Sequence, residues 1–134
     1  MNRAYVTVGL SFGDESKGGT VAALSQKFGS SLTIRHSGSY QAAHAVHTNE
    51  GRRHVFSQLG SGTFAGAKTL LGKAMTINPI ALLNETDVIR RESGVADIFQ
   101  RIHIDSRCQI VTPIHRLLNH YRETARGAAR HGSS

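Results

Sequence analysis

Apolar and polar positions along this chain switch between two periods, and the switching predicts an α/β order. Ala4 to Leu10 is rich in β-branched and apolar residues and predicts a first strand, whereas Thr20 to Phe28 sets Val21, Leu24 and Phe28 at helical spacing, with Gly29 closing the helix as a C-cap. Leu32 to Arg35 predicts a second strand. Two strands joined by a helix predict a parallel, right-handed βαβ unit, which puts the loop after the first strand at the carboxyl end, where such sheets bind ligands. His54 to Leu59 and Thr69 to Ile77 read as strands separated by Gly60-Ser61-Gly62, and Pro79 is placed to open a helix running to about Glu92. Arg101 to Asp105 reads as another short strand. Pro113 opens a last helix to about Arg126, whose apolar stripe of Leu117, Leu118 and Tyr121 is expected to face the core.

The turn between the first strand and the first helix, Gly13-Asp-Glu-Ser-Lys-Gly-Gly19, has the make-up of a phosphate cradle. Gly13, Gly18 and Gly19 can take positive φ and let backbone approach an anion, and the N–H groups of a helix beginning near Thr20 point at it. Lys17 adds a positive charge. Unlike a Walker loop, this turn also holds Asp14 and Glu15, and carboxylates repel phosphates unless they hold Mg²⁺ or move protons. A glycine-rich surface turn with solvated charges is the alternative reading.

A length of 134 residues allows one core and predicts a single α/β domain over the whole chain. No signal-peptide pattern and no apolar run of membrane-spanning length occurs, so a cytoplasmic protein without membrane partners is expected. The one cysteine, Cys108, excludes an internal disulfide and a cysteine-based zinc site, and its apolar setting suggests a buried thiol. A net charge of +7 favours acidic partners, yet the basic residues are scattered, clustering only at Arg52-Arg53, Arg90-Arg91 and Arg122 to Arg130. No aromatic-interleaved strand accompanies them, so nucleic acid is the weaker explanation. His36, His47, His54, His103, His120 and His131 lack the spacing and neighbours of metal ligands, His44-x-x-His47 notwithstanding.

Several segments together resemble the adenylosuccinate synthetase family. Gly13-Asp-Glu-Ser-Lys-Gly-Gly19 resembles its G-D-E-G-K-G-K loop, and Arg35-His-Ser-Gly-Ser-Tyr-Gln-Ala-Ala-His44 resembles its R-x-x-G-G-x-N-A-G-H segment. Ser61-Gly62 is similar to the family's P-S-G turn, Leu71-Gly72 to its I-G-N-G strand and Asn78-Pro79 to the start of the next helix. Pro113 to Gly127 resembles D-Y-H-x-x-x-D-x-x-R-E-x-x-R-G, and Gly132-Ser133-Ser134 falls where the family has G-T-T-G-R-G.

The resemblance implies a P-loop-NTPase-like, mainly parallel sheet with flanking helices, incomplete here because the family is far longer and this piece matches its amino-terminal portion. It implies a ligase that joins aspartate to the 6-position of IMP with GTP and Mg²⁺ in purine nucleotide biosynthesis, through a 6-phosphoryl intermediate, and a homodimer at full length. Asp14 and His44 fall at the family's catalytic positions. Gly13, Glu15, Ser16, Lys17, Gly18, Gly19, Gln41, Ala42, Ala43, Ala45, Ser133 and Ser134 fall at nucleotide-contacting positions, with Asp14 and the Ala43 carbonyl implied as Mg²⁺ ligands. The departures are Ser16 and Ala43 for glycines, Gly19 for Lys, Gln41 for Asn, Ser57 for His and Lys73 for Asn. Ser16 and Ala43 each add a Cβ where positive φ is expected, a strain of about 1 kcal/mol. A synthetase-like enzyme using another purine nucleotide, or a non-catalytic nucleotide-binding α/β module, are the competing readings.

Overall fold

In the computed structural model, which describes residues 3–130, the strand β4 (Lys68–Ile77) forms the spine of a parallel sheet. Thr69, Leu71, Met75 and Ile77 are buried along it, and it pairs in parallel with three other strands. These are β1 (Leu32–Gly38), in register Leu32 to Lys68, β5 (Ile102–Ile104), and the two-residue β6 (Gln109–Ile110) at the end of β4. Between β1 and β4 the chain makes an antiparallel hairpin of β2 (His44–His47) and β3 (Arg53–Phe56), with His44 opposite Phe56. Among the described residues three α-helices, α1 (Lys17–Phe28), α2 (Pro79–Ser93) and α3 (Pro113–Arg126), and three short 3-10 turns complete the order.

Local chemistry explains the helix ends. Gly29 lies in the left-handed region at φ 58° and its N–H reaches Ser25 O, while Asn78 accepts from the Ala81 N–H at 3.1 Å ahead of Pro79 at the first helical position. The core joins the hairpin (Val46, Phe56) to the spine (Leu71, Met75, Ile77), to α2 (Leu82, Ile89) and to Leu59 and Ile98. Each such side chain contributes about 1.5–3 kcal/mol of burial free energy, which clamps the hairpin against the sheet.

Several expectations are corrected. Residues 4–10 form no strand, and Val6 and Leu10 are 84% and 94% exposed, so the βαβ unit expected around α1 is absent. Apolar alternation records only a side-chain preference, whereas a strand needs a neighbouring edge to pair its N–H and C=O groups. Among the described residues the sheet ends at β1, and Tyr5 instead stacks on Phe28 at 4.6 Å between centroids. The stripe of α3 is likewise not core: Leu117 and Tyr121 are 68% and 72% exposed, and Glu123 is the helix's buried residue. Helical spacing aligns a stripe along a helix without fixing what it meets. The third predicted strand stops at Phe56 rather than Leu59, because the N–H groups of residues 57–59 turn to a side chain, described below. Cys108 is half-buried rather than buried, with Sγ 3.1 Å from Gly72 O, and burial raises its pKa.

Candidate nucleotide site

The candidate site forms where the glycine loop enters α1, three residues earlier than expected. Gly13 takes φ 118° and Ser16 φ 57°, the left-handed conformation anticipated for that serine, while Thr20 N–H closes the first helical turn on Ser16 O at 2.9 Å. Gly18 and Gly19 do not have positive φ, since both lie within α1. What they supply is the missing Cβ. A Cβ on Gly18 would lie 2.7 Å from His44 Cβ and 3.0 Å from His44 Cα, so glycine is what lets β2 cross the head of α1. A Cβ on Gly19 would lie 2.9 Å from Ser16 Oγ, so two departures from the family pattern, Ser16 and Gly19, fit each other in space.

Lys17 is held inside the loop. Its Nζ donates to Gly13 O at 3.0 Å and pairs with the Glu15 carboxylate, which also accepts the Ser11 N–H at 2.7 Å. The hydrogen bond from Lys17, followed by that from Ser11, lowers the Glu15 pKa to about 2. Gly9 passes beside this pair, where a Cβ would come within 2.7 Å of Lys17 Nζ. Asp14 is exposed.

His44 is half-buried, and its pKa is lowered from the ordinary 6.5 first by burial and then by the positive charges of Arg35 and Lys17, with Glu85 opposing. The imidazole is therefore neutral at pH 7. Arg35, 6% exposed on β1, donates from Nη1 to Leu59 O at 3.3 Å. Glu85, buried on α2, accepts the N–H groups of Ser57 (2.7 Å), Gln58 (2.8 Å) and Leu59 (3.2 Å) and the Ser57 hydroxyl (3.1 Å), with His54 Nε2 at 3.6 Å. Burial would raise the Glu85 pKa, but its partners at His54, Gln58, Ser57 and Leu59 outweigh that and lower it.

The other expected contact residues spread away from the loop. The Gln41 N–H donates to Ser39 Oγ at 3.1 Å and the Ala42 N–H to Ser39 O at 3.2 Å, in the turn before β2. Ala43 is exposed and does not have the positive φ expected of it, so its Cβ introduces no such strain. Ala45 is exposed on β2, opposite Val55. Ser133 and Ser134 lie outside the described residues. A cleft of about 320 Å³ opens beside the loop, lined by Gly19, Ala22, Val46, His47, Arg52 and Phe64. Among the described residues no three His, Cys, Asp or Glu side chains form a metal cage. Mg²⁺ needs none, since it is bound by one or two carboxylates, water and substrate phosphates, and the Asp14 carboxylate and Ala43 carbonyl are oxygen donors of that kind.

Sequence reasoning missed Gly9, His54 and Glu85. Glu85 carries a legible signal: it lies on the stripe of Leu82, Glu85, Thr86 and Ile89 that α2 buries, and a carboxylate on a buried stripe has to find donors.

A parallel sheet with a positive-φ loop entering a helix, and a hairpin strand crossing the head of that helix at His44, define an α/β protein with a loop of the kind that P-loop-like folds place beside a helix N-terminus. The family model for adenylosuccinate synthetase matches residues 6–134, and the chain belongs to that family. It is 30% identical over 130 residues to adenylosuccinate synthetase of Borrelia duttonii, covering 97% of this chain and 29% of the relative. It is 30% identical over 135 residues to that of Porphyromonas gingivalis, covering 100% and 31%. The solved structure of fully ligated adenylosuccinate synthetase from Plasmodium falciparum superposes with a TM-score of 0.75 at 25% identity, over 88% of this chain and 26% of that one. The chain thus spans about three-tenths of the length of the curated relatives it matches.

Proposed function

We propose that this chain carries the phosphoryl-transfer half of an adenylosuccinate synthetase site, in which GTP activates the 6-oxygen of IMP before aspartate is joined there. The observation that supports the reading is the crossing of His44 over Gly18, which brings the His44 backbone and Cβ against the helix head that follows Asp14. In this reading Asp14, exposed and outside the Lys17–Glu15 pair, takes the N1 proton of the purine, so that O6 becomes the nucleophile toward the γ-phosphorus of GTP and GDP leaves. Neutral His44 donates a hydrogen bond to the charge that develops on the transferring group. The amine of aspartate then attacks C6 and inorganic phosphate departs.

Lys17 and the first N–H groups of α1 bind phosphate oxygens, and Gln41 orients the purine nucleotide, with Ser133 and Ser134 assigned to it as well. Mg²⁺, held by Asp14 and the Ala43 carbonyl, would neutralise phosphate charge. The working assembly is proposed to be a cytoplasmic homodimer.

Calorimetric titration with GTP and Mg²⁺ tests the binding half. Lys17→Ala should weaken affinity by about tenfold, the scale of one charge-assisted hydrogen bond; equal affinity would remove the loop from the site. Phosphorus NMR with IMP present tests the chemistry, where Asp14→Asn should slow GTP consumption by about 10²-fold. Tight GTP binding with no GTP consumption in the unaltered chain would overturn the catalytic reading and leave a nucleotide-binding module.

A further inference from the structure

We propose that Glu85, a residue of α2 outside the nucleotide loop, is the positioning residue for His44: it fixes the turn after β3 and thereby the hairpin that lays His44 on the head of α1. The inference deepens the functional reading above and rests on it for the importance of His44.

The connection runs through adjacent contacts. Glu85 takes three consecutive backbone N–H groups, at Ser57, Gln58 and Leu59, together with the Ser57 hydroxyl. The residue before this turn, Phe56, is fully buried and is the β-partner of His44. From the other side Arg35 holds the Leu59 carbonyl, so one residue has its N–H tied to a buried carboxylate and its C=O tied to a buried guanidinium. His54, on β3, stands 3.6 Å from Glu85. A buried carboxylate with this many donors is costly to disturb, because the donors left behind would also be unpaired. Consecutive N–H groups can converge on one acceptor only if β3 ends at Phe56, which is where it ends.

The same carboxylate balances charge around the histidine. The groups acting on His44 are Arg35 from β1, Lys17 from α1 and Glu85 from α2, and Glu85 is the anion among them. His54 from β3 stands beside Glu85 and shares the hairpin face of His44, diagonally across the β2–β3 pair. The geometric effect carries the proposal: Glu85 places His44 through the turn that ends β3.

NMR of the whole chain without nucleotide separates this from a general folding role. In Glu85→Gln the amides of Ser57, Gln58 and Leu59 should exchange about tenfold faster, and the nuclear Overhauser contact between Gly18 and His44 should weaken. In Glu85→Ala the nuclear Overhauser contact between Gly18 and His44 should be lost. Glu85→Asp should restore part of the protection.

Faster amide exchange with the Gly18–His44 contact unchanged would overturn the proposal and leave Glu85 as a brace for the turn alone. Should Glu85→Ala fail to fold, Glu85→Gln and Ser57→Ala carry the same decision. No nucleotide enters these measurements, so they can fail while the GTP titration succeeds, and the reverse.

Discussion

Replacing Gly18 by alanine sets two physical effects against each other. Intrinsic propensity favours the change, since alanine in a helix is up to about 1 kcal/mol better than glycine, and less than that so near the first turn. Packing opposes it. The new Cβ would stand 2.7, 3.0 and 3.2 Å from Cβ, Cα and C of His44, and the last two are backbone atoms that no rotamer change can move.

Relief requires β2 to retreat, but β2 is registered to β3 at four positions and anchored by buried Val46 and Phe56. Overpacking of this kind costs about 1–3 kcal/mol, so the net expectation is destabilisation by about 1 kcal/mol, a fall in melting temperature of about 3–6 °C for a domain this size. Urea unfolding followed by circular dichroism measures it. Gly19→Ala is the internal comparison, because its Cβ would meet only Ser16 Oγ, at 2.9 Å, which can rotate away. A Gly18→Ala protein as stable as the parent, or more stable, would refute the claim that glycine is there to admit His44.

Two further outcomes follow from the same geometry. Gly19→Lys, which restores the family residue, should be better tolerated on a Ser16→Gly background than alone; a double-mutant cycle by urea unfolding should give a favourable coupling of about 0.5–1 kcal/mol, and additivity within about 0.3 kcal/mol would show the two departures to be unrelated. The folded-state pKa of His44 lies below its ordinary 6.5, so the unfolded chain binds more protons in the window just below that pH. Stability should therefore fall as pH drops through 6.5 toward the folded value, and His44→Gln should flatten that part of the profile; an unchanged slope would place His44 in water.

Much of the site was legible because it is local. The loop, its lysine and the start of a helix are contiguous in sequence, and helix ends at Gly29, Asn78-Pro79 and Pro113 obey capping chemistry that needs no tertiary partner. What failed was non-local. Residues 4–10 have strand-like composition but pair with no strand, α3 has a stripe but little to pack it on, and β6 is two residues long, below any periodic signal. The glycine roles divide in the same way: positive φ at Gly13 is a local property, whereas the need for Gly18 arises from His44, twenty-six residues away. Glu85 lies farther still, and only its place on a buried stripe announced it.

The acidic character of the loop then acquires a physical explanation. Asp14 and Glu15 oppose Lys17, two formal negative charges against one positive, so the loop's side chains alone repel a phosphate even though the whole chain is strongly basic. Glu15, with its pKa at about 2, stays ionised and holds Lys17 at neutral pH. An incoming phosphate therefore draws on the backbone N–H groups at the start of α1, whose dipole favours an anion and which no change of side chain removes. It reaches Lys17 fully only if the ammonium exchanges Glu15 for phosphate oxygens. A second cation beside Asp14 would correct the remaining excess of negative charge. A loop so arranged is expected to bind phosphate weakly by itself and more tightly with a divalent ion, whereas a Walker-type loop without fixed carboxylates has no such requirement. GTP affinity measured with and without Mg²⁺ should consequently differ more in this chain than in its Glu15→Gln variant, where Lys17 is released; equal Mg²⁺ dependence in the two proteins would show that the Glu15 pair does not control the site.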